Sequence, residues 1–127
     1  MNAFLISDIF LNGEGDSWFE RNKENSSKTS EILNNFKLEI LSLPIPNNQE
    51  IKVLEIGCGQ GRLMNLIQQD RQWQLYGIDP SKKATAFARN LGLNAAVGTA
   101  DEIPFSDGTF DLIIFGFCLY LVDISHL

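Results

Sequence analysis

Glycine recurs at positions 57, 59 and 61, directly behind an apolar run and directly ahead of a helical stripe. The run, Ile51-Lys52-Val53-Leu54-Glu55-Ile56, is nearly continuous and rich in β-branched residues, the composition of a strand buried on both faces. Leu63, Met64, Leu66 and Ile67 then recur at helical spacing. A chain passing from such a strand through three glycines into a helix must turn sharply, and its backbone can approach a ligand with no Cβ in the way. Doubly buried strands belong to parallel sheets with helices packed on them. This segment alone therefore points to an α/β fold.

The rest of the chain repeats the alternation. Trp73-Gln74-Leu75-Tyr76-Gly77-Ile78 is a second strand, ending in Asp79-Pro80-Ser81. Lys82 to Leu91 reads as a helix, with Ser81 as its cap and Gly92 placed for a left-handed stop. A short strand follows around Ala95–Val97, and Phe110 to Cys118 is the strongest apolar strand in the chain. Right-handed βαβ connections give a Rossmann-like parallel sheet of order 3-2-1-4 with flanking helices. Residues 1–49 are polar and Asn/Ser-rich, and Asn22 to Ser30 reads as a loop or a frayed helix end. Within this half Ile32, Leu33, Phe36, Ile40 and Leu41 predict an amphipathic helix over about 28–42, stopped by Pro44 and Pro46, with Ser27 or Ser30 as its cap. Trp18, Phe19 and Arg21 fall on a shorter helix before it. The expected organisation is an N-terminal helical lid segment, 1–50, and a partial Rossmann-like core, 51–127.

Composition removes several classes of function. Sixteen acidic residues against ten basic ones leave a net charge of −6, so there is no basic excess for nucleic-acid phosphates. No apolar run reaches the ~20 residues that span a bilayer, and the first residues lack the positive region of a signal peptide. Cys58 and Cys118 are too few for a disulfide framework and lack metal-ligand spacing. The expectation is a reduced, cytoplasmic domain that handles a small molecule.

Two acidic positions stand where such a domain holds a nucleoside. Asp79, at the end of the second strand, lies beside the glycine turn and can accept from both ribose hydroxyls; the same carboxylate can instead help cap the helix from Ser81. Asp101 and Glu102 follow the third strand in Gly98-Thr99-Ala100-Asp101-Glu102-Ile103-Pro104-Phe105. A carboxylate there can take an adenine amino group while Ile103 packs on the ring; alone, it would read as a solvated acidic loop. Cys58 has no evident partner base, and His126, the sole histidine, lies within two residues of the end of the sequence, weak grounds for a catalytic base.

Val-Leu-Glu-Ile-Gly-Cys-Gly-Gln-Gly at 53–61, Tyr-Gly-Ile-Asp-Pro-Ser at 76–81 and the stretch 98–113 together resemble the class I S-adenosylmethionine-dependent methyltransferases, in their type 11 pattern. The resemblance implies S-adenosyl-L-methionine as cofactor. It implies that Glu55, Gly57, Cys58, Gly59 and Gly61 contact the methionine moiety and that Asp79, with Pro80 beside it, holds the ribose. It further implies that Asp101 accepts from adenine, that Glu102 and Ile103 line that pocket, and that Phe117 lines the methyl-donor centre. Gly13 to Lys23 resembles the lid of methyltransferases of surface-polysaccharide and sugar biosynthesis. There Trp18 would cover the sulfonium and Arg21 would pair with the methionine carboxylate; the plain alternative is a helix anchor and a solvated charge.

The implied reaction is methyl transfer to a small-molecule acceptor, such as a sugar or polysaccharide precursor, with no catalytic base named. Two other readings stand beside it. One is a nicotinamide-dependent oxidoreductase, whose loop reads Gly-x-Gly-x-x-Gly rather than the Gly-x-Gly-x-Gly found here. The other is a non-catalytic remnant or scaffold that keeps the pocket. Only four strands can be placed, against seven in the family resembled, so the chain reads as C-terminally truncated. Its fourth strand carries no lysine, proline or inward charge over 112–122, so at a sheet edge it would associate with another copy or need a covering segment.

Overall fold

A computed structural model of the protein describes Asp16 and residues 27–116. The elements run α1 (Ser27–Leu41), β1 (Lys52–Ile56), α2 (Arg62–Gln68), β2 (Gln74–Asp79), α3 (Lys82–Asn90), β3 (Asn94–Val97) and β4 (Leu112–Phe115). The four strands form one parallel sheet in the order β3-β2-β1-β4, as the right-handed connections require. β1 is central: Val53 pairs with Leu75 on one side and Leu112 on the other.

The pleat divides the side chains between two faces. Val53, Leu75 and Ile114 meet Leu63, Met64 and Ile67 of α2, Ala88 of α3 and Ile40 of α1 in the larger cluster. Leu63 and Ile67 are almost wholly buried, each contributing roughly 1.5–3 kcal/mol by removal from water. Leu54, Ile56 and Ile78 face the other way, under Tyr76, Ile103, Phe105 and Phe110. Tyr76, Phe105 and Phe110 pack edge to face with centroids 5.1–5.8 Å apart, so aromatic contacts hold the 98–110 loop on this second face.

Some sequence expectations shift at their edges. Ile32 is 46% exposed and stays off the core, which α1 meets through Leu33, Phe36, Ile40 and Leu41. α1 starts at Ser27, within a residue of the expected start, which puts Ser30 inside the helix rather than at its cap. Phe110 does not open the fourth strand; its ring joins the aromatic trio and pairing starts at Leu112. Burial on both faces of β4 holds only in part: Ile114 is buried, whereas Ile113 and Phe115 are exposed among the described residues. Ser81 caps α3 by accepting from the Ala84 N–H, and Gly92 is left-handed at φ 85°, both as expected.

Gly61 and Gly59 are both left-handed, at φ 87° and 55°, but for different reasons. A Cβ at Gly61 would strike Leu93 and Ala88, whereas one at Gly59 would meet nothing within 4 Å. Gly61→Ala is therefore expected to lower the unfolding free energy by about 2–4 kcal/mol, backbone strain plus overpacking. Gly59→Ala should cost only about 1–2 kcal/mol, from strain alone. Urea titrations of the two variants check this; equal losses would remove the packing explanation for Gly61.

Candidate functional site

The turn from β1 to α2 is fastened to β2. The N–H groups of Gly57 and Cys58 both donate to the Ile78 carbonyl, at 2.8 and 3.0 Å, and the Gly61 N–H returns to the Cys58 carbonyl at 2.9 Å. Three positive φ values in five residues, 79°, 55° and 87°, make this path possible, since only glycine holds them without strain. Cys58 is buried, its Sγ 3.5 Å from the Gly59 carbonyl. It fits there because β2 carries Gly77 opposite: a Cβ on Gly77 would lie 2.6–2.7 Å from Met64 Sδ and from Cys58.

Asp79 sits where β2 runs out. Its Oδ2 accepts from the Gly59 N–H and its Oδ1 from the Ser81 N–H, both at 2.9 Å. The carboxylate thus steadies the turn into α3, as the capping reading has it, and it also reaches across to the glycine loop. Each oxygen retains acceptor capacity beyond its one backbone bond. Burial pushes the Asp79 carboxyl up, the N–H groups of Ser81 and Gly59 pull it down, and nearby Asp16 pushes it up; the balance is a rise from its ordinary value. Pro80 is half-buried beside it.

Glu55 lies on β1, one residue before Ile56, and is 5% exposed. Burial first, and the Asp79 charge second, push its carboxyl up to about 8. Its Oε1 has no hydrogen-bond partner among the described residues. Its Oε2 occupies the space where a side chain at position 116 would project, which accounts for glycine there. A buried polar atom with no partner is costly unless something else satisfies it.

The loop after β3 starts from the same place, with the Gly98 N–H donating to the Asp79 carbonyl at 3.1 Å. Thr99 Oγ1 donates to Asp101 Oδ1 at 2.6 Å, and the Glu102 N–H donates to the Thr99 carbonyl at 3.1 Å, so residues 99–102 close a tight turn. Asp101, Glu102 and Ile103 line a cleft of about 430 Å³ with Leu54, Phe110 and Ile113. The structure thus gathers Glu55, Gly57, Cys58, Gly59, Gly61 and Asp79 into one cluster and Asp101, Glu102 and Ile103 along one cleft. Trp18, Arg21, Phe117 and His126 lie outside the described residues. Gly77 and Gly116 gave no signal as site residues, because their role is to leave space for Cys58 and Glu55. Asp16 was legible only as one letter of an N-terminal motif.

The Glu55 carboxyl makes stability depend on pH. Unfolded it titrates near 4.5 and folded near 8, so between these values the unfolded chain has released a proton that the folded chain keeps. Its contribution therefore falls as pH rises from about 4.5 to 8. Glu55→Gln is expected to flatten that slope and to be more stabilising at pH 8 than at pH 5 by on the order of a few kcal/mol. Urea midpoints at the two pH values test this, and an unchanged slope would refute it.

Comparison with known proteins places the fold in a family. Residues 53–127 match the family model of a methyltransferase domain. A curated, uncharacterized protein of Methanocaldococcus jannaschii is 29% identical over 101 residues, covering 80% of this chain and 42% of its own length. One of Mycobacterium tuberculosis is 35% identical over 69 residues, covering 54% and 22%. The chain spans less than half the length of these curated relatives. Among solved structures, a Methanococcus maripaludis protein assigned to the S-adenosyl-L-methionine-dependent methyltransferases superposes over 99% of this chain and 57% of its own, with TM-score 0.68 and 19% identity. Geranyl diphosphate C-methyltransferase of Streptomyces coelicolor, solved with S-adenosyl-L-homocysteine, covers 78% and 39%, with TM-score 0.65 and 19% identity; these two likenesses establish the fold. Phosphoethanolamine N-methyltransferase 2 of Haemonchus contortus, solved with S-adenosyl-L-methionine, is 26% identical with TM-score 0.55, over 64% of this chain and 20% of its own. With the family model matching more than half of its length, over the strands and loops that build the site, the chain belongs to the methyltransferase domain family.

Proposed function

We propose that the protein binds S-adenosyl-L-methionine and takes part in transfer of its methyl group to a small-molecule acceptor. The observation that carries this is the pairing of Asp79 with the glycine loop. A carboxylate with acceptor capacity to spare on both oxygens stands beside Gly59, whose Cα faces open space. That arrangement suits a ribose diol lying across the end of β2. The Oε1 of Glu55, without a partner among the described residues, and the proximity of two carboxylates suit the cationic methionine end of the same molecule. The residues present fit the cofactor.

When bound, the cofactor supplies a methyl group already activated by its sulfonium charge. The chain's own part is positioning. Asp79 orients the ribose, the Gly57–Gly61 backbone lets the ligand lie close, and the 99–103 turn offers Asp101, Glu102 and Ile103 to a base. Fixing the donor in this way leaves alignment of the acceptor and exclusion of water as the main demands on the site. The Gly13–Lys23 resemblance supports a sugar or polysaccharide precursor as acceptor, with the 1–50 segment bearing the lid and 51–127 the cofactor core. The cysteine usage supports a reducing, cytoplasmic setting. Trp18, Arg21 and Phe117 belong to the proposed cofactor-binding set on the resemblance alone.

Calorimetric titration with S-adenosyl-L-homocysteine tests the assignment. Asp79→Ala is expected to weaken binding by well over tenfold, about 2–4 kcal/mol, because it removes the acceptor of two hydroxyl groups. Unchanged affinity in a folded variant would sink the assignment, and tighter binding of NADH than of S-adenosyl-L-homocysteine by the unaltered protein would favour the nicotinamide reading.

A further inference from the structure

Asp16 stands far in sequence from the site yet is bonded to its edge. Its Oδ1 accepts from Ser81 Oγ at 2.6 Å and from the Lys83 N–H at 2.9 Å. Ser81 Oγ in turn accepts from the Ala84 N–H at 3.0 Å. A hydroxyl has one proton to give, so Ser81 spends its proton on Asp16 and a lone pair on the helix. The Ser81 N–H donates to Asp79 Oδ1, and Asp79 Oδ2 accepts from the Gly59 N–H. Four residues are thus joined in one path, Asp16 to Ser81 to Asp79 to Gly59, with Ser81 only 1% exposed at its centre.

We propose that Asp16 is a positioning residue for the cofactor-binding carboxylate. By fixing Ser81 and the first turn of α3, it holds Asp79 in the rotamer that meets both Gly59 and the ligand. This rests on the cofactor reading given above. Without Asp16, the Ser81 hydroxyl loses its acceptor in a buried place and the Lys83 N–H loses its cap. The Ser81 backbone is then free to shift, and Asp79 shifts with it. The arrangement also places two carboxylates near each other, which disfavours charge on Asp79. Asp16→Asn keeps the accepting oxygen and removes that repulsion, so the bond and the charge are separable.

Affinity for S-adenosyl-L-homocysteine, read by calorimetry on the whole protein, decides the matter through a double-mutant cycle. Asp16→Ala is expected to weaken binding about five- to tenfold, and Asp16→Asn to restore most of it. In the Asp79→Ala background, Asp16→Ala should have no further effect, because the group it positions is gone. Should Asp16→Ala fail to fold, Ser81→Ala breaks the same path and enters the same cycle. Wild-type affinity in folded Asp16→Ala, or an equal loss with and without Asp79, would overturn the proposal and leave Asp16 as a helix cap. If the unaltered protein binds no S-adenosyl-L-homocysteine, the cofactor reading itself fails, a different result from either.

Discussion

One carbonyl oxygen organises the site. Ile78 O, at the end of β2, accepts from both Gly57 and Cys58, and one residue later the Asp79 side chain takes the N–H of Gly59. Three consecutive amides of the loop are thereby committed to a neighbouring strand rather than to their own helix. A loop bonded in this manner cannot be displaced without breaking the end of the sheet. The price is steep in sequence terms: glycine at 57, 59 and 61 to trace the path, and glycine at 77 to admit Cys58 and Met64. The acidic residue at the strand end then lies beside the loop because the backbone brings it there.

The two faces of the sheet are closed by different means. Helices α1, α2 and α3 bury one face in mainly aliphatic contacts, while a loop fastened by three aromatic rings covers part of the other. Among the described residues, Ile113 and Phe115 on this face stay exposed. The cleft holding Asp101, Glu102 and Ile103 opens on this thinner side. One face of the sheet is thus closed by helices, and the other carries an open groove.

Much of this was legible in the sequence, for identifiable reasons. Strand order, the capping role of Ser81, the left-handed Gly92 and the meeting of Asp79 with the glycine loop follow from local chemistry plus the fixed hand of βαβ connections. What escaped depends on space and distance. Periodicity marks Ile32 as apolar but does not say that it stands beside the buried stripe while its neighbour Leu33 packs on the core. The role of Gly116 exists only because Glu55 reaches toward it from a strand paired in register, Ile56 opposite Phe115. Asp16 meets Ser81 across 65 positions, a separation at which a motif carries no record of its partner.

The place of β1 at the centre of the sheet has a kinetic side. Its Lys52 N–H bonds to Asp111 Oδ2, 59 residues away, and its pairing with β4 closes a loop of the same order. β2 and β3 join by shorter crossovers. Loop-closure entropy grows only slowly with length, but it must be met before the distant contacts repay it. By length alone, the pairing of β4 onto the far edge of β1 carries the larger closure cost and the β1–α2–β2–α3–β3 half the smaller. The glycine loop and Asp79 lie wholly within that half, whereas the space around the Glu55 carboxyl is shared with Gly116, just beyond β4.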